Sequence, residues 1–345
     1  MNPIPFRIEP TFSPRIWGAR SLAPIYPNKT NLREPIGEAW LTDVNCRIAN
    51  GPFAGKTLGD TWREMPVEWR GKGLANTNDF PILVKFLFPT DKLSIQVHPD
   101  DAYAAAHEKA AGGRGKTEAW HILSADPEAH VLLGFKPGIT KEKYLAALSA
   151  GTVESLIEQL PVSQGDTIFV PARTVHAIGP GVIICEVQEY SDLTYRVFDY
   201  NRVDTEGRPR ELHTEKALEV MGFGATSAGK VAPRPIGFGK PPLQHLVDCE
   251  YFSVDRWELA EPFHAKRLPH PPGEGLFEIL VVLDGEATLA WSSPQQSSAE
   301  IRLTHGACWF VPSGTFHNLS VHPAPKVTLL WIALPASQKK RNLPM

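Results

Sequence analysis

Four residues in the first half of the sequence have types and spacing that could bind a metal ion. Gln96 and His98 are two positions apart in LSIQVHP, so in a strand their side chains leave the same face. Glu118 begins the next predicted strand, and His176 follows a proline turn. Two imidazoles and a carboxylate suit a catalytic zinc or another borderline divalent ion, with a position left open for water or substrate. Gln96 would add a neutral amide oxygen as a weaker fourth ligand.

Short apolar runs bounded by turn residues predict the strands that must position these side chains. In the first half such runs cover residues 81–88, 93–99, 119–123, 130–135, 166–171 and 182–188. Helical patterns are fewer and cover residues 57–65, 100–111, 140–150, 152–160 and 212–221. We expect the helices to be insertions and a small cap on a β core. Strand-like runs resume after residue 243.

Composition agrees with a mainly β protein. The 345 residues are enough for about two domains, and 32 prolines with 27 glycines interrupt the chain too often for long helices. A hydrophobic content of 42%, a charged content of 21% and a net charge of −3 are typical of a soluble globular chain and give no sign of a nucleic-acid partner. The four scattered cysteines, the lack of a signal peptide and the lack of a membrane-length apolar run favour a cytoplasmic protein.

An internal repeat relates the two halves of the chain. The triplet Gly165, Pro171 and His176 recurs 141 positions later with the same spacing. The second triplet is Gly306, Pro312 and His317. Together with the upstream Glu278-x6-Gly285, the second copy resembles the cupin superfamily of small jelly-roll barrels.

The repeat predicts two cupin-type jelly-roll β-barrels in tandem with a small helical insertion. We expect a catalytic N-terminal domain over residues 1–222, a Gly/Pro-rich linker over residues 223–243, and a C-terminal domain over residues 244–345. The second copy has no Gln-x-His pair upstream of Glu278. His317 therefore lacks the partners that His176 has, and we expect the C-terminal barrel to be structural and without a metal.

Longer motifs resemble a known family. FLFPTDKLSIQVHPDD, GKTEAW, PARTVHAIGPG and EVQEYSDLTYRVFDY, with IGEAWLTD and NGPFAGKTLGD near the N-terminus, are similar to type I mannose-6-phosphate isomerases of the shorter bacterial form. The resemblance covers most of residues 10–220. It implies a zinc-dependent isomerase that interconverts mannose 6-phosphate and fructose 6-phosphate, with one zinc ion per chain. It implies that Gln96, His98, Glu118 and His176 are the zinc ligands and that Arg196 is the active-site arginine.

This chemistry moves a proton between C2 and C1 of the open-chain sugar through a cis-enediolate. A divalent cation and a fixed guanidinium would stabilise the negative charge on the sugar oxygens, so we assign that role to zinc and Arg196. The residue that carries the proton stays open between Lys116, a zinc-bound hydroxide and a carboxylate such as Asp192. We favour Lys116, whose pKa could be lowered near a divalent ion.

The substrate phosphate requires basic groups at some distance from the metal. Arg114, Lys116, Arg173 and Lys92 lie in or beside the motifs. We favour Arg173, because it lies on the turn that presents His176 and replaces the glycine found at position 314 in the second copy.

Three other functions compete with the isomerase. A cupin dioxygenase would need redox-active iron or copper, and a related isomerase would act on unphosphorylated mannose. A non-catalytic bicupin would bind sugar or metal without turnover, but it would not need an arginine beside the metal. The sequence does not predict the oligomeric state.

Overall fold

The fold is described from a computed structural model, in residues 3–203, 207–224, 226–236, 243–265, 268, 275–293, 296–315 and 318–335. The protein is mainly β, as the sequence predicts. No helix in the described part of the chain has the length and apolar character needed to cross a membrane. The four cysteines are all free thiols.

Strands make up most of the regular structure. In chain order they are β1 (Phe6–Glu9), β2 (Thr11–Ala19), β3 (Ile36–Trp40), β4 (Arg47–Ile48), β5 (Ile82–Leu87), β6 (Ile95–Val97), β7 (Glu118–Ala125), β8 (His130–Phe135), β9 (Ile157–Pro161), β10 (Thr167–Val170), β11 (His176–Ile178), β12 (Val182–Glu189), β13 (Tyr195–Phe198), β14 (Gly229–Lys230), β15 (Arg234–Pro235), β16 (Leu243–Asp248), β17 (Ser253–Leu259), β18 (Phe263–His264), β19 (Glu278–Ser293), β20 (Gln296–Leu303), β21 (Cys308–Val311) and β22 (Leu319–Ala333).

Two antiparallel sheets form what we call the first β-region. A seven-stranded sheet has the order β14-β10-β7-β12-β5-β3-β2, and a five-stranded sheet has the order β13-β6-β11-β8-β9. Every residue of β5 is buried, because an apolar strand in the interior of a covered sheet has no face left for water. The two sheets together supply all the strands that carry or precede the predicted metal ligands.

One ten-stranded sheet forms the second β-region. Its main path has the order β15-β16-β17-β22-β19-β21-β1-β4, and β18 and β20 pair with β22 and β19. Strands β1 and β4 come from the start of the chain, so the N-terminal segment contributes to the sheet built mostly by the C-terminal third. The largest apolar cluster is shared by both β-regions. In it Phe310 stacks between Phe6 and Phe277, with ring centroids 4.7 and 4.9 Å away.

Helices are short and cover the strands at a few points. They are α1 (Leu58–Glu64), α2 (Val67–Arg70), α3 (Asp101–His107), α4 (Lys141–Ala150) and α5 (Thr214–Val220). The side chains of Thr57, Asp100 and Thr140 accept hydrogen bonds from the first turns of α1, α3 and α4, which satisfies amides that have no partner within a helix.

One predicted helix is wrong in its second half. Residues 152–160 form a single 3-10 turn at Val153–Leu156, and the chain then continues as β9. Strand β9 pairs with the edge of β8, so sheet pairing outweighs the local helical pattern.

The Gly/Pro-rich segment contributes one short strand to each β-region in its described part. Gly229 and Lys230 pair with β10, whereas Arg234 and Pro235 pair with β16. The segment thus passes from one β-region to the other while paired to both. The division of the chain into domains stays a prediction.

The repeat is visible in the strands. The bounds of β10 and β21 differ by the 141 positions that separate the two sequence triplets. Gly165 and Gly306 both have a positive φ, of 89° and 74°, a conformation that glycine adopts without steric cost. His317 lies outside the described residues.

Candidate active site

Three of the four predicted metal ligands converge where the two sheets of the first β-region meet. His98 directly follows β6, His176 begins β11 and Glu118 begins β7. The side chains of all three are buried, and their ligand atoms lie within 4.8 Å of one another. Residues that are far apart in sequence are thus brought to one point by three strands, as the sequence predicts.

Backbone carbonyls fix the tautomer of both imidazoles. His98 Nδ1 lies 2.7 Å from the carbonyl oxygen of Leu193, and His176 Nδ1 lies 2.9 Å from that of Thr174. Because a carbonyl oxygen only accepts, each Nδ1 carries a proton and each Nε2 presents a lone pair to the cluster. In metal sites, a hydrogen bond from the other ring nitrogen to a backbone carbonyl orients the histidine towards the ion.

The three donors form an electron-rich pocket. His98 Nε2 lies 3.2 Å from Glu118 Oε1, and His176 Nε2 lies 3.7 Å from Glu118 Oε2. Lone pairs on two acceptors at this distance repel each other unless a positive charge lies close by. Two imidazoles and one carboxylate with converging lone pairs therefore fit a divalent cation.

The protonation states of the donors suit the same ion. Burial, with the charge of Lys116, lowers the pKa of His98 to about 3, and burial also lowers the pKa of His176. Burial opposes ionisation of Glu118, but the charge of the Lys116 ammonium group outweighs it and lowers the pKa of Glu118. The cluster thus offers two neutral imidazoles and one carboxylate, and metal ligands must be deprotonated in this way.

Lys116 contacts the same donors. Its Nζ lies 2.7 Å from Glu118 Oε1 and 3.3 Å from His98 Nε2. Burial alone lowers the pKa of Lys116, but the carboxylates of Glu118, Glu186 and Asp192 reverse the direction and raise it. The expectation of a lowered pKa concerns Lys116 beside a bound divalent ion, and it stays a prediction.

Gln96 lies beside the cluster and contacts one of its members. Its position on β6 is directly opposite His176 on β11, and its Nε2 lies 3.2 Å from His176 Nε2. Since His176 Nε2 has the lone pair, the amide nitrogen donates in this arrangement. A half-turn of the amide would present its oxygen, which is the atom that a metal ligand requires.

A cavity of about 470 Å³ opens against Gln96 and Lys116. This volume falls in the range of about 300–1,000 Å³ typical of small-molecule sites. Its basic lining residues are Arg15, Lys85, Lys116, Arg196 and Arg210. Its acidic lining residues are Glu38, Glu186 and Asp192. The excess of basic groups favours a negatively charged ligand.

Sequence reasoning missed Lys85 and Glu186. Lys85 is almost fully buried, and its Nζ lies 3.6 Å from Asp192 Oδ1 and 4.0 Å from Glu186 Oε2. Burial and the charge of Glu118 raise the pKa of Glu186 to about 7, against the lowering effect of Lys116 and Lys85. The available signal was a lysine inside the apolar run PILVKFLF, since a charge in such a run is costly unless it has partners.

Of the two predicted arginines, one lines the cavity and the other lies outside it. Arg196 is on β13, directly opposite Gln96, and lines the cavity. Arg173 is half exposed, forms an ion pair with Asp100 at 3.1 Å and does not belong to the cavity wall.

The other basic residues considered for the phosphate are engaged elsewhere. Lys92 pairs with Glu154 at 2.9 Å. Arg114 lies 3.4 Å from Asp79 and donates to the carbonyl of Phe80.

Comparison with known proteins identifies the family of this chain. Residues 5–130 match the family described as phosphomannose isomerase type I, catalytic domain. The chain is 36% identical over 261 residues to the probable mannose-6-phosphate isomerase GmuF of Bacillus subtilis, covering 74% of this chain and 80% of the relative. It is 33% identical over 293 residues to the mannose-6-phosphate isomerase ManA of Bacillus subtilis, covering 84% and 88%. The crystal structure of the mannose 6-phosphate isomerase from Bacillus subtilis superposes with a TM-score of 0.83 at 29% identity, over 95% of this chain and 99% of the other.

Proposed function

The chain belongs to the type I phosphomannose isomerase family, whose members are isomerases, and on that premise we propose that it interconverts D-mannose 6-phosphate and D-fructose 6-phosphate. His98, Glu118 and His176 hold one zinc ion, and Gln96 is the fourth ligand. The observation that carries the proposal is the buried cluster of two neutral imidazoles and a carboxylate against a basic cavity. The cytoplasmic location stays a prediction.

When bound, zinc supplies Lewis-acid stabilisation of the negative charge that develops on the sugar oxygens. The chain itself adds two fixed positive groups. The carboxylates around Lys116 favour its charged form, which suits it to stabilising an oxyanion. Burial, Arg210 and Arg202 lower the pKa of Arg196, yet a guanidinium stays protonated in proteins. Lys116 and Arg196 thus stabilise the cis-enediolate.

The proton moves between adjacent carbons, so its carrier must line the cavity. The carboxyl groups of Asp192 and Glu186 do so on the side of Lys85 and Lys116. We assign proton transfer to one of these two carboxyl groups rather than to Lys116. The isomerase activities of Asp192→Asn and Glu186→Gln identify which of the two carries the proton. Loss of turnover in the Lys116→Met variant alone, with both amide variants active, would return the role to Lys116.

The test is metal content by mass spectrometry on protein purified without added metal, combined with a coupled assay for fructose 6-phosphate. The wild type should contain about one zinc ion per chain and be inactivated by a chelator. His98→Gln should lose both metal and activity, by about a thousandfold or more if the metal supplies about 4 kcal/mol of transition-state stabilisation.

His121 provides the matched control. It is buried like His98 and its pKa is lowered to about 3, mainly by burial, but its Nδ1 contacts Thr167 Oγ1 at 2.9 Å, outside the cluster. His121→Gln should keep the zinc.

Turnover of mannose but not of its phosphate would identify the unphosphorylated sugar as the substrate. Zinc without turnover of either sugar would identify a binding protein, and iron or copper would favour a dioxygenase.

A further inference from the structure

The loop that carries Lys116 into the candidate active site is held by its backbone. Residues 115–117 lie between α3 and β7, belong to no helix or strand, and are all buried. Their three consecutive N–H groups therefore need partners within the protein. The N–H of Lys116 donates to the carbonyl oxygen of Pro99 at 3.1 Å, and the other two donate to carboxyl groups.

Two acidic residues accept these hydrogen bonds, one on each side of Lys116. Asp101 begins α3, and its Oδ1 accepts from the N–H of Gly115 at 2.8 Å. Glu189 ends β12, and its Oε1 accepts from the N–H of Thr117 at 2.7 Å. A Cβ placed on Gly115 would lie 2.6 Å from the backbone nitrogen of Asp101, so the loop packs directly against the start of α3.

The two carboxyl groups also contact each other. The side chains of Asp101 and Glu189 are hydrogen-bonded, and two carboxyl groups this close share a proton because two negative charges would repel. Burial and the charge of Asp101 raise the pKa of Glu189 to about 8, against the lowering effect of the Thr117 amide. At pH 7 Glu189 therefore carries the proton, and its O–H donates to Asp101.

Other titratable groups that face this pair come from the second β-region. Tyr251 is hydrogen-bonded to Asp101, and burial with the charges of Glu189 and Asp101 raises the pKa of its hydroxyl. Burial, with a smaller effect from Glu189, raises the pKa of the Cys249 thiol to about 11. Both groups stay neutral up to pH 9. On the loop itself, the side chain of Arg114 is paired with a different carboxylate.

We propose that Asp101 and Glu189 are positioning residues for Lys116, and that they hold its loop as a pair that shares one proton. The action of Lys116 on a sugar oxyanion rests on the proposed function. Because the pair holds the backbone on both sides of Lys116, it fixes the point from which Nζ reaches Glu118 and His98, 2.7 and 3.3 Å away. Neither Asp101 nor Glu189 lines the cavity, so they act through Lys116.

Steady-state kinetics with mannose 6-phosphate between pH 7 and pH 9 test the shared proton. Glu189→Gln imitates the protonated side chain, since its amide oxygen accepts from Thr117 and its amide nitrogen donates to Asp101. Its kcat should be within about twofold of the wild type at pH 7. At pH 9 the wild type has lost most of the shared proton and the variant has not, so the ratio of variant to wild-type kcat should rise to about 3–10.

Glu278→Gln is the matched control for the pH profile. It makes the same substitution at another buried glutamate whose pKa is raised, on β19 of the second β-region. The ratio of its kcat to that of the wild type should stay constant from pH 7 to pH 9.

Glu189→Ala tests the positioning of the loop. It removes the acceptor of the Thr117 amide and leaves a buried N–H unpaired. We expect kcat to fall about 10- to 100-fold with KM changed less than about threefold, because Lys116 acts in the transition state, and the zinc content should be unchanged. Amide hydrogen exchange of residues 115–117 at pH 7, measured by mass spectrometry, should be about tenfold faster than in the wild type. Glu189→Gln should exchange like the wild type.

The outcomes separate this inference from the proposed function. Unchanged kcat and unchanged exchange in Glu189→Ala would overturn the positioning role. A kcat ratio for Glu189→Gln that stays constant from pH 7 to pH 9 would overturn the shared proton. Loss of zinc in Glu189→Ala would show that Glu189 acts through Glu118 and not through Lys116. Exchange that depends on Glu189 in a protein without isomerase activity would keep the positioning of the loop and overturn the reaction.

Discussion

The first and second β-regions each bury a glutamate at the equivalent point of the repeat. Glu118 at the start of β7 is opposite Val170, and Glu278 at the start of β19 is opposite Val311. The two valines are 141 positions apart, as are the two sequence triplets. Glu118 is 1% exposed and Glu278 is 2% exposed, so neither residue type nor burial distinguishes them.

Their neighbours give the two glutamates opposite charge states. The charge of Lys116 lowers the pKa of Glu118 against the effect of burial. Burial, with a smaller effect from Asp255, raises the pKa of Glu278 well above its usual range, and the hydrogen bond from Trp331 does not compensate. Among the described residues, the only group of three or more candidate ligands is the one around Glu118. The strand therefore supplies the position of the glutamate, and the surrounding side chains decide whether that position becomes a metal site.

Catalysis should distinguish the two glutamates most strongly. Glu118→Gln removes a charged metal ligand, so we expect isomerase activity to fall by about a thousandfold or more. Glu278→Gln replaces a protonated carboxyl by a neutral amide of similar shape, and activity should change less than about twofold. The coupled assay on both variants, with zinc content measured alongside, checks this. A large loss of activity in Glu278→Gln would show that the second β-region takes part in the reaction.

The contributions of Glu118 and Glu278 to the free energy of unfolding should change with pH in opposite directions. A raised pKa in the folded state means that Glu278 reduces stability as pH rises from its unfolded pKa of about 4.3 towards its folded pKa. Glu278→Gln should therefore be more stable than the wild type at pH 7, by about 1–3 kcal/mol for a buried group that is not well paired, and the difference should shrink near pH 4.

Glu118 provides the contrast in chelator-treated protein. Because its folded pKa is lowered, its contribution is present above the unfolded pKa and is lost as pH falls through the folded pKa. Glu118→Gln should therefore be less stable than the wild type at pH 7. Urea unfolding of both variants at pH 4 and pH 7 measures these differences, and a gain in stability of Glu118→Gln at pH 7 would contradict the assigned charge states.

Much of the fold follows from local sequence patterns. Apolar runs between turn residues predict the strands of the first β-region, such as residues 130–135, which form β8 with the same bounds. The pattern at residues 152–160 fails because β9 gains its pairing from β8, a contact between segments that are distant in sequence.

The candidate site also contains some residues that the sequence predicts and others that it does not. Residue type and spacing identify His98, Glu118 and His176, because ligand chemistry restricts the choice of side chain. Lys85 and Arg210 escape prediction, since which charged residues face a common cavity depends on how the sheets pack. Arg173 shares a turn with His176, but its contact with Asp100 depends on the position of α3, which the sequence pattern does not give.

The smallest expected difference between the regions concerns the turn after β10 and β21. Arg173 and Gly314 occupy equivalent positions with φ of 70° and 78°, a left-handed conformation that costs a non-glycine residue about 1–2 kcal/mol. Among the described residues, no heavy atom lies within 4 Å of a Cβ placed at Gly314, so Gly314→Ala should be destabilised through its backbone, by about 1 kcal/mol.

Arg173→Gly tests the reverse change. It relieves the left-handed strain but increases the freedom of the unfolded chain and removes the exposed ion pair with Asp100, which contributes at most about 1 kcal/mol. Its stability should therefore stay within about 1 kcal/mol of the wild type, and its KM for mannose 6-phosphate should be unchanged. Urea unfolding and steady-state kinetics measure both. A rise in KM at unchanged stability would show that the arginine is kept at this strained position to contact the substrate, which is the role that the sequence alone predicts for it.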